Sequence, residues 1–426
     1  MEAYATALTW AIPFFVSLIL IEAIVDRYFM KVGVNNGMDT VSSLSSGMTN
    51  TLKELIGLSI VIVSYGWMVD HFALFQFDST LLLFVLCFIG IDFASYWSHR
   101  FNHEINLFWN RHIVHHSSEE FNLACALRQS ISSIVGIYFF LYIPLAILGI
   151  PTNIIAVVAP LHLFAQFWYH TRLIDRMGFL EHLIVTPSHH RVHHAINPEY
   201  VDKNYAAVFI VWDKWFGTFQ EEQPDIPPVY GTLKPSNTWN PILINYMHLW
   251  AIIQDAWRTR SWWDKIRVWF MPTGWRPEDV KEKYPRTGIE KVYEQVKYNP
   301  SASKLLLYWS WFQLLFHNFL IYYVLYNFSL VSYPEMIAFV ALLFISIFAY
   351  TSLMDRHWIA VPVEGLKFLF ALSFIYYFEG WMQMDTFLQG ATWLMLAYFG
   401  FSFALTCYIS YVEQGNFRAK QDLVKI

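Results

Sequence analysis

Apolar residues run through this chain in blocks longer than a soluble core uses. Stretches of membrane-spanning length fall near 7–25, 54–70, 79–97, 131–149, 151–170, 305–328, 335–353, 359–380 and 387–411. A helix needs about 20 such residues to cross a hydrocarbon layer about 30 Å thick, because each backbone amide must find its partner within the segment. The pattern predicts about nine transmembrane helices in an all-α integral membrane protein. The fourth and fifth meet around Pro151 and form a hairpin. Residues 171–303 break the pattern with a polar interval, and four more spans follow it.

Composition agrees: 56% of residues are hydrophobic and 14% charged, with 19 Trp and 37 Phe, far from a soluble average. The first run is too long, and too closely followed by others, to be a cleaved signal peptide. A net charge of −5 without a basic run argues against a nucleic-acid partner. Cys87, Cys125 and Cys407 give no disulfide framework.

The 28 Lys and Arg residues set an orientation, since positive charge near spans stays on the cytoplasmic side. With the N-terminus outside, Arg27, Lys31 and Lys53 fall in the first inner loop, and Arg100, Arg111 and Arg128 in the second. The polar interval Arg172–Lys304, then Arg356, and finally Arg418, Lys420 and Lys425 in the tail follow on the same side. Lys367 alone lies within a span, one turn after Glu364. Between Trp239 and Trp275, seven tryptophans alternate with Arg258, Arg260, Lys265 and Arg267. Such a mixture marks either a segment at the lipid headgroups or tryptophans packed inside a cytoplasmic layer.

Histidine supplies the chemistry. Five fall between His99 and His116, as His99-x3-His103 and His112-x2-His115-His116, and the second pattern returns as His190-x2-His193-His194. Residues three and four apart on a helix share a face, so each box can turn its imidazoles toward one point. A lone histidine beside a span is usually a satisfied polar residue; eight in three boxes read as metal ligands. His170 and His189 can complete the shell. One tetrahedral zinc takes about four ligands, so nine or ten favour two metal ions. Imidazole serves iron, zinc and copper alike. An all-histidine iron pair would suit activation of dioxygen against an unreactive C–H bond, and the membrane setting suggests an apolar substrate.

These boxes resemble those of the fatty acid hydroxylase and sterol desaturase superfamily, whose members are membrane non-haem diiron oxygenases. Within it the likeness is to the branch that cleaves ether lipids with tetrahydrobiopterin. It is carried by His99-Arg100-x2-His103-Glu104, by His112-x2-His115-His116-Ser117-Ser118-Glu119-x2-Asn122-Leu123-x2-Ala126-Leu127-Arg128-Gln129-Ser130, and by Gln166-Phe167-Trp168-x-His170-Thr171. It continues through Thr186-Pro187-Ser188-His189-His190-Arg191-Val192-His193-His194, Asp202-Lys203-Asn204-Tyr205-Ala206 and Trp212-Asp213-Lys214-x-Phe216-Gly217-Thr218-Phe219, covering about 80–275.

The resemblance implies two iron ions on His99, His103, His112, His115, His116, His170, His190, His193 and His194, with His189 a tenth ligand or a neighbour of one. It implies dioxygen as co-substrate, tetrahydrobiopterin as reductant, and hydroxylation of the ether-adjacent carbon of an alkylglycerol to give fatty aldehyde and glycerol. Glu104 matches a glutamate important in that branch and is expected to orient an imidazole or relay a proton. Asp92, Asn204 and Asp213 are candidates for orienting ligands, or else caps and turn residues. The implied domains are 1–78, N-terminal transmembrane helices; 79–303, a cytoplasmic histidine-rich catalytic domain; and 304–426, a C-terminal bundle.

No Gly-rich dinucleotide loop is present, so the reductant is expected to be a diffusible molecule or a separate protein, with a pterin-recycling enzyme or a separate reductase as the expected partner. Competing readings are a hydroxylase or desaturase of another lipid fed by a redox protein, and a zinc hydrolase. A metal transporter would hold its site near the bilayer midplane, whereas these boxes lie at the inner ends of spans.

Overall fold

The computed structural model describes residues 2–75 and 81–413. Among them the chain is helical, and isolated bridges are its extended pairings. α1 (Glu2–Val25) continues through a π-helical turn to Met30. Asn36 caps α2 (Gly37–Leu55), accepting from the amides of Met38 and Asp39, a cap worth about 1 kcal/mol. After the short α3 (Tyr65–Phe72), α4 (Leu81–Glu104) ends in the first histidine box. Two single turns, α5 (Asn106–Trp109) and α6 (Ile113–His116), lead to and carry the second. α7 (Ile143–Ile147) and α8 (Thr152–Phe164) form an apolar hairpin, and α9 (Pro187–His193) holds the third box. The polar interval continues through α10 (Val211–Phe216), α11 (Pro241–Arg258), α12 (Trp262–Arg267) and α13 (Glu278–Lys283). Four long helices follow: α14 (Lys304–Tyr326), α15 (Tyr333–Met354), α16 (Ala360–Tyr377) and α17 (Ala391–Cys407).

Five described helices are long and apolar enough to cross a membrane: Thr6–Met30, Leu81–Glu104, Tyr333–Met354, Ala360–Tyr377 and Ala391–Glu413. That is the signature of an integral membrane protein, with fewer such helices than the nine apolar runs. The run 54–70 breaks at Gly57, whose φ is +65°, and at Ser64, which caps the eight-residue α3. The runs 131–149 and 151–170 give shorter apolar helices; Pro144 opens α7, Pro151 precedes α8 and Pro160 lies inside it. α14 has the length, but Ser310, Gln313, His317 and Asn318 dilute its apolarity. The tail residues Arg418, Lys420 and Lys425 lie outside the described residues.

α2 is the element that the apolar pattern misses, because serine and threonine dominate it. It lies antiparallel along α15: Tyr333 donates to the Ile56 carbonyl at 3.3 Å, Ser45 Oγ and Tyr350 OH are 2.5 Å apart, and Ser42 donates to the carbonyl of Trp239. The amide of Trp239 in turn donates to Asp355 at the end of α15. Met38, Val41, Met48, Leu52 and Leu55 join the apolar core of the C-terminal bundle, while the hydroxyls between them find partners.

Candidate metal centre

The ends of α4 and α9, the second-box turn and the segment after α8 converge on one buried layer. Nine imidazoles form two groups whose ligand atoms lie within 4.8 Å of one another: His99, His103, His112, His116 and His193; and His115, His170, His190 and His194. In the first, the Nε2 atoms of His99 and His112 stand 2.8 Å apart and those of His116 and His193 3.1 Å apart. In the second, His170 Nε2 lies 2.8 Å from that of His190 and 3.2 Å from that of His115.

Backbone carbonyls fix which nitrogen carries the proton. His99 Nδ1 donates to Tyr205 at 2.7 Å, His193 Nδ1 to Lys203 at 2.9 Å, His115 Nδ1 to Arg128 at 3.3 Å, and His170 Nδ1 to Gln166 at 3.0 Å. A carbonyl only accepts, so Nε2 of each ring holds a lone pair directed into its group. His115 and His170 therefore oppose lone pair to lone pair, a contact that a cation resolves and a hydrogen bond cannot. His103 Nε2 is buried with no hydrogen-bond partner. Burial, reinforced by His170 for His115, pushes the pKa of both His115 and His170 down to about 3. Burial first and neighbouring imidazoles second hold His112, His116, His190, His193 and His194 well below the ordinary value. Neutral imidazole is the ligand form, so this donor set fits a metal ion in each group.

Carboxylates set the layer from behind. Asp92 accepts from the amides of Val208 and Phe209, from the Trp212 indole at 2.8 Å and from His162 at 2.7 Å, tying α4 to the segment before α10. Asp213 accepts from the amides of Tyr205 and Ala206 and from Thr218, and so holds the carbonyl that receives His99. Burial raises its pKa, against those three donors. Asn204 sits at φ +55°, which asparagine tolerates, and donates to the carbonyls of His189 and Gln220. It thereby pins the start of the third box to the segment that follows α10.

Nine of the ten expected histidines thus come together, and His189 does not. Its Nδ1 joins the capping box of α9 with Thr186, and its Nε2 faces Glu181 at 4.0 Å. Glu104 is 44% exposed and pairs with Arg100 at 2.8 Å, so its described partner is a guanidinium, not an imidazole. Sequence reasoning missed the buried pair of Arg128 and Asp39, 2.7 Å apart. Arg128 also donates to Ser117 and Ser43, and its carbonyl receives His115. It missed Glu22 too, which accepts from Thr171 beside His170 and from the amide of Leu123. Arg128 stands in a quoted motif, but nothing local ties it to Asp39, 89 residues earlier.

Helices that combine membrane-crossing segments with two convergent imidazole groups define a membrane protein with a candidate dinuclear metal centre. Residues 84–218 match the fatty acid hydroxylase family. The chain is 40% identical over 303 residues to the alkylglycerol monooxygenase of Homo sapiens, covering 70% of this chain and 66% of the human protein. It is 38% identical over 299 residues to that of Danio rerio, covering 67% and 64%. Against that of Caenorhabditis elegans it is 30% identical over 346 residues, covering 76% and 68%. The matched region thus spans slightly under two thirds of the two vertebrate relatives. No solved structure matches. The chain belongs to the fatty acid hydroxylase family, on the branch that carries the alkylglycerol monooxygenases.

Proposed function

We propose that this protein is an iron-dependent membrane monooxygenase that hydroxylates the ether-adjacent carbon of alkylglycerols. The carrying observation is the pair of imidazole groups, four of whose rings are locked through Nδ1, in a chain whose relatives are named alkylglycerol monooxygenases. One oxygen atom of dioxygen enters the C–H bond, the other leaves as water, and two electrons and two protons come from a tetrahydropterin. The hemiacetal carbon then loses its ether oxygen, releasing a fatty aldehyde and a glycerol. Two iron ions, held by the five-histidine and four-histidine groups, would supply the activation of dioxygen.

The chain's own groups do the rest. The carbonyls of Tyr205, Lys203, Arg128 and Gln166 keep each Nδ1 proton in place, so the rings need not reorient when ligating. Asp92, Asp213 and Asn204 act as positioning residues through the segments they pin, and Glu104 acts at the rim through Arg100. Phe121 and Tyr169 stand beside His170 and His190 and exclude water there. His189 serves as a cap. The inner-side excess of Lys and Arg supports a cytoplasmic histidine layer within 79–303, an outward N-terminus, and flanking membrane regions 1–78 and 304–426.

The test is aldehyde release from a 1-O-alkylglycerol by membranes holding the protein, with iron and oxygen, with and without tetrahydrobiopterin. A His115→Ala, His116→Ala variant is the control. Aldehyde that needs both pterin and intact histidines is the expected result. Iron-loaded protein without aldehyde would overturn the ether substrate and leave a hydroxylase of another lipid.

A further inference from the structure

α11 turns an apolar face outward, while its inward face carries most of its polar anchors. Beside the buried Ile244 and Ile252, Asn245 accepts from the amide of Ile131, His248 donates to the Asn106 carbonyl at 2.8 Å, and Asp255 pairs with Arg276 and Arg286. Its outward face is a stripe of Leu243, Tyr246, Met247, Trp250, Ile253 and Trp257, all exposed. These positions recur at three- and four-residue steps, so they share one side of the helix. Trp257 is 84% exposed and Trp262, at the start of α12, 80% exposed, with Trp263, Ile266 and Phe270 continuing the patch. A soluble helix hides its apolar stripe and wets its polar face, and an exposed apolar patch of this extent marks a partner.

The ends of neighbouring helices say where that patch lies. Asn240, at the head of α11, donates to Ser352 near the C-terminal end of α15. Eight residues on, His248 and Leu249 bond Asn106 and Asn110, just past the C-terminal end of α4. Eight residues of helix rise about 12 Å, far short of the hydrocarbon thickness of about 30 Å. Both spans therefore end on the same side of the membrane, and α11 bridges their ends.

We infer that α11 and α12 lie in the interface of that leaflet, with the tryptophan stripe in the headgroup and acyl boundary and the occupant a lipid monolayer. Arg258, Arg260, Lys265 and Arg267 beside the stripe suit anionic headgroups. The arrangement holds whatever the reaction is, since it uses none of the histidine chemistry. It also separates the seven tryptophans of the interval: Trp239 is buried as core, while Trp250, Trp257, Trp262 and Trp263 face outward.

The experiment places a polarity-sensitive fluorophore at Trp250→Cys, at Trp257→Cys and, as a water-exposed control, at Val296→Cys, in full-length protein in nanodiscs. One set of discs is phosphatidylcholine alone, another mixes in phosphatidylserine. The expected result is blue-shifted emission at 250 and 257, quenching by spin-labelled lipid, and iodide quenching roughly threefold weaker than at 296. Replacing the four basic residues by Gln should weaken the phosphatidylserine-dependent part of that protection. Iodide access equal to that at 296 would overturn the inference. So would protection that lipid spin labels do not sense and that appears only when two copies share a disc, which would assign the stripe to a second copy of the chain.

Discussion

Two of the polar centres buried among the described residues are satisfied in opposite ways. In the C-terminal bundle, Lys367 pairs with Glu364 and donates to Ser402 at 2.9 Å, Ser402 donates to Glu364, and Gln313 donates to Ser402 at 2.9 Å. Tyr398 closes the set by donating to Gln313 at 2.5 Å. Cation, anion and hydroxyl answer one another. In the histidine layer carbonyls answer the outer nitrogens of His99, His115, His170 and His193, and the inner nitrogens of those rings face other imidazoles, so the inner side calls for a positive charge from outside. A centre complete in itself fixes packing, and a centre complete on one side only binds.

The largest test of that contrast removes inner nitrogens. Changing His115 and His170 together to Ala should abolish aldehyde release and lower the iron content of purified protein, while the thermal unfolding of the C-terminal bundle stays in place. Next comes the self-contained centre. Lys367→Met leaves Glu364 buried without its cation, and should cost about 3–5 kcal/mol in denaturation followed in detergent. Glu364→Leu combined with Lys367→Met should recover most of that loss, and both proteins should turn over normally per folded molecule.

Asp39→Asn sharpens the comparison, since it weakens the support of the Arg128 carbonyl without touching a ligand. Iron affinity should fall about tenfold, measured by competition with a chelator, with little change in helicity. Acid supplies a further test at the edge of the layer. Burial pushes the pKa of His248 down to about 4 from 6.5. The folded state prefers the neutral ring, so its contribution is present above pH 6.5 and is lost as pH falls toward 4. Hydrogen exchange along α11 should rise across that window, and less so in His248→Gln. The smallest effect belongs to Glu104→Gln, whose exposed ion pair is worth at most about 1 kcal/mol in melting experiments; a large loss of turnover with normal stability would mean that Glu104 acts beyond Arg100.

The histidine layer was legible because ligand spacing on helices is short-range information. The boxes at His99, His112 and His190 each sit within one turn or two, and even His170 was marked by its place at the end of an apolar run. What holds those rings was not legible. Asp92 meets Trp212 and Asp39 meets Arg128 across the fold, and no local pattern connects such pairs. Apolar runs predicted α15, α16 and α17 well, because those helices are apolar along most of their length, whether they face the bundle, as α15 mostly does, or the outside. They failed at 54–70, where Gly57 ends the helix, and they passed over α2, whose neighbours are protein on most sides.

That serine-rich α2 also sets a timetable. The phenol that meets Ser45 belongs to Tyr350, 305 residues further along the chain, so a ribosome completes most of the protein before this helix can be enclosed. Until then its hydroxyls must stay wet or be sheltered by the insertion machinery. The last part of the chain to be made thus licenses the first part to close, and a nascent protein halted before α15 would carry all three histidine boxes without the wall behind them.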